Sequence, residues 1–208
     1  MIELHNADCL DAMRLMDDDA FELAIVDPPY GIERFKKPAG GTRFKCSTMM
    51  QQDGLVWDKK PSPEYFNELF RVSKNQIVWG SNNFTLPPSE YFCVWNKHQT
   101  VDNFASAELA YVSKGLKMPA KVFDFSIHKH NHTDKIHPTQ KPVTLYTWLL
   151  EKYAKKGDRI LDTHLGSGSI AIAAHNLGYD LTGYELDKDY YQAACKRLEQ
   201  HQKQLRMF

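Results

Sequence analysis

At 208 residues, with 42% hydrophobic side chains, the chain is long enough for one α/β domain with a buried core. Its formal net charge of +0 argues against an indiscriminate polyanion binder. No apolar run approaches the roughly eighteen residues of a transmembrane helix, Met1-Ile-Glu-Leu-His5 reads as a strand rather than a signal peptide, and Cys9, Cys46, Cys93 and Cys195 form no CxxC pair, so a cytoplasmic protein without membrane, metal or disulfide framework is expected.

In chain order, apolar and β-branched runs predict strands at Ile2–His5, Phe21–Asp27, Gln76–Gly80, Tyr91–Trp95, Ala107–Ser113, Arg159–Asp162 and Asp180–Glu185. Helical spacing predicts helices over Cys9–Met16, Pro63–Val72, Pro142–Lys155, Ser169–Leu177 and Asp189 to about Gln204, the last with apolar positions Tyr190, Tyr191, Ala194 and Leu198. Strands alternating with helices indicate an α/β fold. Two stretches, 31–61 and 113–137, carry no clear period and exceed an ordinary connection, which marks them as functional or mobile loops. Both are basic: the first holds Arg34, Lys36, Lys37, Arg43 and Lys45, the second alternates lysine and histidine. Two such segments on a neutral domain suit a local phosphate-contacting surface. His128, His130 and His132 alternate as along a strand edge; lacking a nearby cysteine or carboxylate, they read as phosphate contacts or exposed residues, not a metal site. Trp57, Trp79 and Trp95 are expected in the core.

Asp27-Pro28-Pro29-Tyr30 closes the second predicted strand. In open α/β sheets ligands bind at the carboxyl ends of strands. The two prolines fix their own φ, and Pro29 biases Pro28 toward extended ψ. The Asp27 carboxylate and the Pro28 carbonyl are then two aimed acceptors, matched to the two hydrogens of a planar amino group. Tyr30 supplies a flat face for the ring that carries the amine.

A second constellation runs Ile160-Leu-Asp162-Thr-His-Leu-Gly166-Ser-Gly168-Ser169, a strand, a glycine loop and a helix start. The glycines allow close backbone approach, and exposed N–H groups at the helix start favour an anion. Glu185 ends the following strand, about 20 residues beyond Gly166, where an acid accepts from ribose hydroxyls. The alternative is a structural βαβ unit with Ser169 as helix cap.

Together these motifs resemble the S-adenosylmethionine-dependent amino-methyltransferases of DNA. The tetrapeptide precedes the glycine loop, and that permuted order is similar to the β class of these enzymes. His137-Pro-Thr-Gln-Lys-Pro142, Ala7-Asp8-Cys9, Trp79-Gly-Ser-Asn-Asn-Phe84 and Ser106-Ala-Glu-Leu-Ala110 are also similar to members of the family. The resemblance implies a Rossmann-like methyltransferase fold: a mostly parallel seven-stranded sheet with helices on both faces, forming a single domain over 1–208. Segment 31–61 would be a mobile loop near the active site and 113–136 a small target-recognition insertion. Asp27, Pro28, Pro29 and Tyr30 would be catalytic. Asp8, Lys141, Asp162, His164, Gly166, Ser167, Gly168, Ser169 and Glu185 would bind S-adenosylmethionine, with Asp8 toward the adenine amino group unless it merely caps a helix, and Lys141 toward the methionine carboxylate unless it is a solvated lysine. Arg34, Lys36, Lys37, Arg43, Lys129 and Asn131 would contact double-stranded DNA, and so small a recognition segment implies a short target or help from a second subunit in a homodimer. In the family the loop usually reads Asp-Pro-Phe-x-Gly-x-Gly; here Thr163 and His164 replace the Pro and Phe, with His164 able to stack as an imidazole. Family members acting on cytosine N4 usually carry Ser where this chain has Asp27, so the resemblance implies adenine N6 methylation by base flipping and in-line transfer. Cytosine N4, RNA or protein amines, a binding module without catalysis, and a dinucleotide-dependent oxidoreductase are the alternatives; the last leaves Asp27–Tyr30 unexplained.

Overall fold

A computed structural model describes residues 1–31, 59–102, 104–131, 135–137 and 139–205. Among them, eight strands form one sheet: β1 (Ile2–Asn6), β2 (Leu23–Val26), β3 (Gln76–Trp79), β4 (Phe92–Asn96), β5 (Ala107–Val112), β6 (Lys121–Asp124), β7 (Arg159–Asp162) and β8 (Asp180–Glu185). Their order is β1-β8-β7-β2-β3-β5-β4-β6. Neighbours pair in parallel except at β5, which is antiparallel to both β3 and β4. The helices are α1 (Cys9–Met13), α2 (Pro63–Val72), α3 (Ile127–Asn131), α4 (Val143–Tyr153), α5 (Ser169–Leu177) and α6 (Lys188–Leu205).

Strand periodicity sorts the core into two layers. Leu23, Ile25, Ile77, Trp79 and Ile160 point to one face, where they meet Leu145, Leu149 and Leu150 of α4, Ile170 and Ala173 of α5, and Ala194 and Leu198 of α6. Ala24, Val26, Val78 and Leu161 point to the other face, against Met13 of α1 and Tyr65, Phe66, Leu69 and Val72 of α2. A strand covered on both faces has no polar side, which is why β2 reads as an unbroken apolar run. Local signals fix the helix ends. Ser62 caps α2 by accepting from the Tyr65 N–H, and Pro63 follows where no N–H is needed.

The sheet has eight strands, not seven. The extra one, β6, lies inside the segment expected to be a recognition insertion and adds to the outer edge beside β4. Only Phe123 of its four residues is buried, so it shows no period in sequence. The histidine stretch is helical rather than a strand edge: His128 and His130 lie in α3, His130 is buried, and its Nε2 lies 2.6 Å from the Gln140 carbonyl. His132 is outside the described residues. A five-residue helix is too short to hold itself; the Ile127 N–H is secured by the Lys97 carbonyl at 2.7 Å. Ser169 begins α5 as its first residue, with Gly168 in the cap position. Trp79 and Trp95 are in the core as expected, while Trp57 and most of 31–61 lie outside the described residues. No helix among the described residues is long and apolar enough to cross a membrane.

Leu69 is fully buried under the sheet, so Leu69→Ala should destabilise the fold by about 2–5 kcal/mol. Removing the α2 cap with Ser62→Ala should cost about 1 kcal/mol. Urea unfolding of the two variants checks the order of these effects.

Candidate active site

Strands β1, β8, β7, β2 and β3 run parallel, so their carboxyl ends share one edge of the sheet. From β2 the chain passes through α2 to β3 on one side; from β7 it passes through α5 to β8 on the other. The crevice between β2 and β7 is therefore the switch point where such sheets bind ligands. Asp27 follows β2 and Asp162 ends β7, one on each side of it.

Asp27 is engaged at both oxygens. The Tyr30 hydroxyl donates to Oδ1 at 2.8 Å and the Lys141 ammonium to Oδ2 at 2.5 Å. Lys141 is 3% exposed, which rules out a solvated lysine, and its Nζ also stands 3.0 Å from Oε2 of Glu108. Glu108 lies on β5, the reversed strand, whose beginning is at this same edge, and its other oxygen pairs with Lys97 just beyond β4. The result is a line of alternating charge: Asp27, Lys141, Glu108, Lys97. Burial pushes the Asp27 carboxyl up from its ordinary range, and Lys141 draws it back. Against burial, Asp27 and Glu108 keep Lys141 above its usual pKa. Burial also opposes ionisation of Glu108, but Lys141 and Lys97 hold it at about 2.

Tyr30 is seated by Gly80, directly after β3. Gly80 is left-handed at φ 66°, and a Cβ there would sit 2.1 Å from Cε1 of Tyr30. No other residue suits both the backbone and the space. Phe84 flanks the Tyr30 ring at 6.1 Å, edge-on.

Across the crevice, Asp162 is buried and accepts from the His164 N–H at 3.0 Å. Burial, with Asp27 and Glu185 as nearby negative charges, raises its carboxyl to about 8. Thr163 Oγ1 lies 2.6 Å from the Tyr65 hydroxyl and 2.9 Å from His164 Nδ1, and the His164 ring meets Tyr65 edge-on at 5.3 Å. Burial lowers His164 to about 4, so the ring is neutral at pH 7. Gly166 and Gly168 are both left-handed, at φ 51° and 70°. The Gly166 N–H donates to Glu185 Oε2 at 2.8 Å, and Oε1 accepts from the Asp187 N–H at 2.9 Å. His137, pushed by burial to about 4, lies against the glycine loop, 3.6 Å from where a Gly166 Cβ would be.

The remaining sequence candidates divide clearly. Ser167 and Ser169 are buried, and their hydroxyls face each other at 3.1 Å; Ser169 donates to the Lys141 carbonyl at 2.8 Å. Arg197 of α6 donates to the Ser167 carbonyl and to Ser169 Oγ, at 2.8 and 2.9 Å. Asp8 is exposed and caps α1 by accepting from the Leu10 N–H at 2.8 Å. Lys129 is exposed on α3 and Asn131 ends that helix. Arg34, Lys36, Lys37 and Arg43 lie outside the described residues. Gly80 and Glu108 lie in the family-like stretches Trp79–Phe84 and Ser106–Ala110 but were given no role there, and Lys97 and Arg197 were not anticipated. Among the described residues, no cluster of three or more His, Cys, Asp or Glu forms a metal site.

The profile of a family described as DNA methylase, of the N6/N4 type, matches residues 40–196. The type II methyltransferase M.HpaI of Haemophilus parainfluenzae is 21% identical over 93% of this chain and 73% of its own length. Two solved structures share the fold. The M1.HpyAVI–SAM complex has a TM-score of 0.60 at 20% identity, over 95% of this chain and 99% of that one. The cytosine-N4-specific PvuII DNA methyltransferase has a TM-score of 0.63 at 13% identity, over 97% and 90%.

Because Asp162 keeps its proton in the fold to about pH 8 and loses it near pH 4 when unfolded, it binds more protons folded than unfolded between those values. Stability from this group is full below about pH 4 and falls as pH rises toward 8. Asp162→Asn should remove that slope, so wild type and variant converge at low pH while the variant is more stable at pH 8. Denaturant titrations across that window check it.

Proposed function

The chain belongs to the N6/N4 DNA methylase family, and on that footing we propose that it methylates the N6 amino group of adenine in double-stranded DNA, with S-adenosylmethionine as the methyl donor. The observation that carries this reading is the Asp27 carboxylate at the β2 side of the switch crevice, opposite Asp162 and the glycine loop.

The residues opposite Asp27 fit S-adenosylmethionine. Asp162 is a buried carboxyl raised by desolvation, the kind of group an incoming ammonium stabilises in its charged form. Glu185, anchored by two backbone N–H groups, keeps lone pairs for ribose hydroxyls. Gly166 leaves its loop without side-chain bulk, and the neutral His164 ring offers an aromatic edge. Asp8 would reach the adenine amino group with the oxygen not used by its helix. When bound, the donor supplies a methyl group activated by positive sulfur, which leaves with the carbon–sulfur bonding pair as the amine nitrogen bonds to carbon.

The protein's own part is positioning. An exocyclic amine is a poor nucleophile because its lone pair is delocalised into the ring. Acceptors at Asp27 and the Pro28 carbonyl draw its two hydrogens out of the ring plane and free that pair. Holding nitrogen in line with the methyl carbon then supplies much of the rate. The nitrogen sheds one proton as it is alkylated, and the Asp27 carboxylate is the adjacent acceptor. A base within a duplex must first flip out, at a cost of a few kcal/mol; stacking against Tyr30 offsets about 1–3 kcal/mol of it. Base contacts are assigned to Lys129 and Asn131 of the 113–136 segment. Phosphate contacts are assigned to Arg34, Lys36, Lys37 and Arg43, with 31–61 closing over the flipped base and a second copy of the chain completing target recognition.

The test incubates the protein with tritiated S-adenosylmethionine and unmethylated genomic DNA, then separates the nucleosides. Label in N6-methyladenine is expected; label in N4-methylcytosine would overturn the base assignment and keep the mechanism. Asp27→Ala should lower transfer at least about 100-fold with cofactor affinity by calorimetry nearly intact. Equal loss of both would mean that Asp27 serves the cofactor or the fold.

A further inference from the structure

Each Asp27 oxygen already accepts one hydrogen bond, so an arriving amine has to share an oxygen with Tyr30 or with Lys141. Tyr30 is pinned by Gly80 and Phe84. Lys141 is not pinned in the same way. Its ammonium already stands 3.0 Å from Glu108 Oε2, in ion-pair contact. Trp79 and Tyr30 present ring faces to the same ammonium, with centroids at 5.5 and 6.0 Å. These contacts favour a cation without fixing its direction. The other oxygen of Glu108 is held by Lys97, so the second seat stays in place when the first is vacated.

We propose that Lys141 is a movable counter-ion, a positioning residue that pairs with Asp27 in the free protein and passes to Glu108 when the target amine enters. This rests on reading Asp27 as the acceptor of that amine. Without the ammonium, burial would leave Asp27 protonated and short of an acceptor. With an ammonium that had nowhere else to go, the carboxylate would be ionised, but its strongest donor would compete with the amine N–H for Oδ2. Glu108 answers both needs, because it attracts Lys141 without neutralising Asp27 permanently. The four charges Asp27, Lys141, Glu108 and Lys97 sum to zero, so the shift moves no net charge into the buried site.

Other groups facing Asp27 are Tyr30 on its own loop, Tyr65 of α2, Tyr146 of α4 and Asp162 of β7. The three tyrosines are pushed by burial well above their ordinary values and stay neutral. Asp162 also feels the Lys141 charge, but at saturating S-adenosylmethionine it is paired with the ammonium of the donor. The acid limb in kcat/KM for DNA, which reports the cofactor-loaded enzyme, therefore tracks Asp27 under the influence of Lys141 and Glu108.

The experiment measures kcat/KM for duplex DNA against pH at saturating S-adenosylmethionine. Lys141→Met should move the acid limb up by about 1–3 pH units, with activity recovering at high pH, and Lys141→Arg should bring the limb back toward wild type. Glu108→Gln should move it the opposite way, to lower pH, because Lys141 then serves Asp27 alone. Its plateau should nonetheless fall about tenfold, because the carboxylate is no longer released. Limbs that move in the same direction, or a plateau loss with no movement, overturn the proposal. Should Lys141→Met fail to fold, Glu108→Gln decides alone: a limb that stays or rises rejects it. Wild-type protein that binds the cofactor but labels no DNA would reject the methylase reading itself, a separate result.

Discussion

A carboxylate set at the end of a fully covered parallel strand loses its hydration, and it stays ionised only where another charge is brought to it. At Asp27 that charge is Lys141, and much of the surrounding architecture is arranged around this pair. The lysine comes from the segment before α4, more than a hundred positions along the chain, so the contact ties the loop after β2 to the segment that leads into α4. The same residue is tied from behind. Its carbonyl accepts from the Ser169 hydroxyl at the start of α5, and Arg197 of α6 holds Ser169 in turn. One residue thus links the Asp27 loop through its side chain to the glycine loop through its backbone. Ser169 makes this tie with its hydroxyl, and the buried hydroxyl of Ser167, within the glycine loop, faces it at 3.1 Å.

The aromatic beside Asp27 is equally constrained. A tyrosine that only stacked on a base would need no partner for its hydroxyl, yet Tyr30 donates to Asp27 Oδ1. That bond orients the carboxylate and fixes the ring in one plane. Close packing on Gly80 then sets how far the ring can retreat, since the left-handed turn after β3 brings backbone against its edge. Ring placement and carboxylate alignment are two outcomes of one contact.

Much of this was legible in sequence because the buried strands are long apolar runs and the helix ends carry their own signals. Arg159–Asp162, Asp180–Glu185, Pro63–Val72 and Ser169–Leu177 have the predicted boundaries. Failures fell where the stabilising contacts are tertiary. β6 exists because β4 offers an open edge, with one buried side chain to announce it. α3 is held by the Lys97 carbonyl and by Gln140. Alternating histidines at 128 and 130 looked like a strand because a period of two fits that pattern, but one turn of helix puts His130 inward and His128 outward just as well. The charge line was hidden for another reason. Lys97, Glu108 and Lys141 are far apart in sequence, and the reversal of β5 that brings Glu108 to the carboxyl edge is a property of sheet order, not of local residues.

The division of labour at this site also explains why fold likeness is silent about the base. A carboxylate facing an exocyclic amine sees two N–H bonds and a delocalised lone pair, whether the ring behind them is a purine or a pyrimidine. The cytosine-N4-specific PvuII enzyme shares this fold at 13% identity. Selectivity then has to come from whatever faces the ring edge, where a buried donor or acceptor left unpaired by the wrong base costs far more than a change in shape. The Asp27–Lys141–Glu108–Lys97 line keeps the Asp27 carboxylate partnered at the carboxyl edge of the sheet; burial pushes that carboxyl up and Lys141 draws it back.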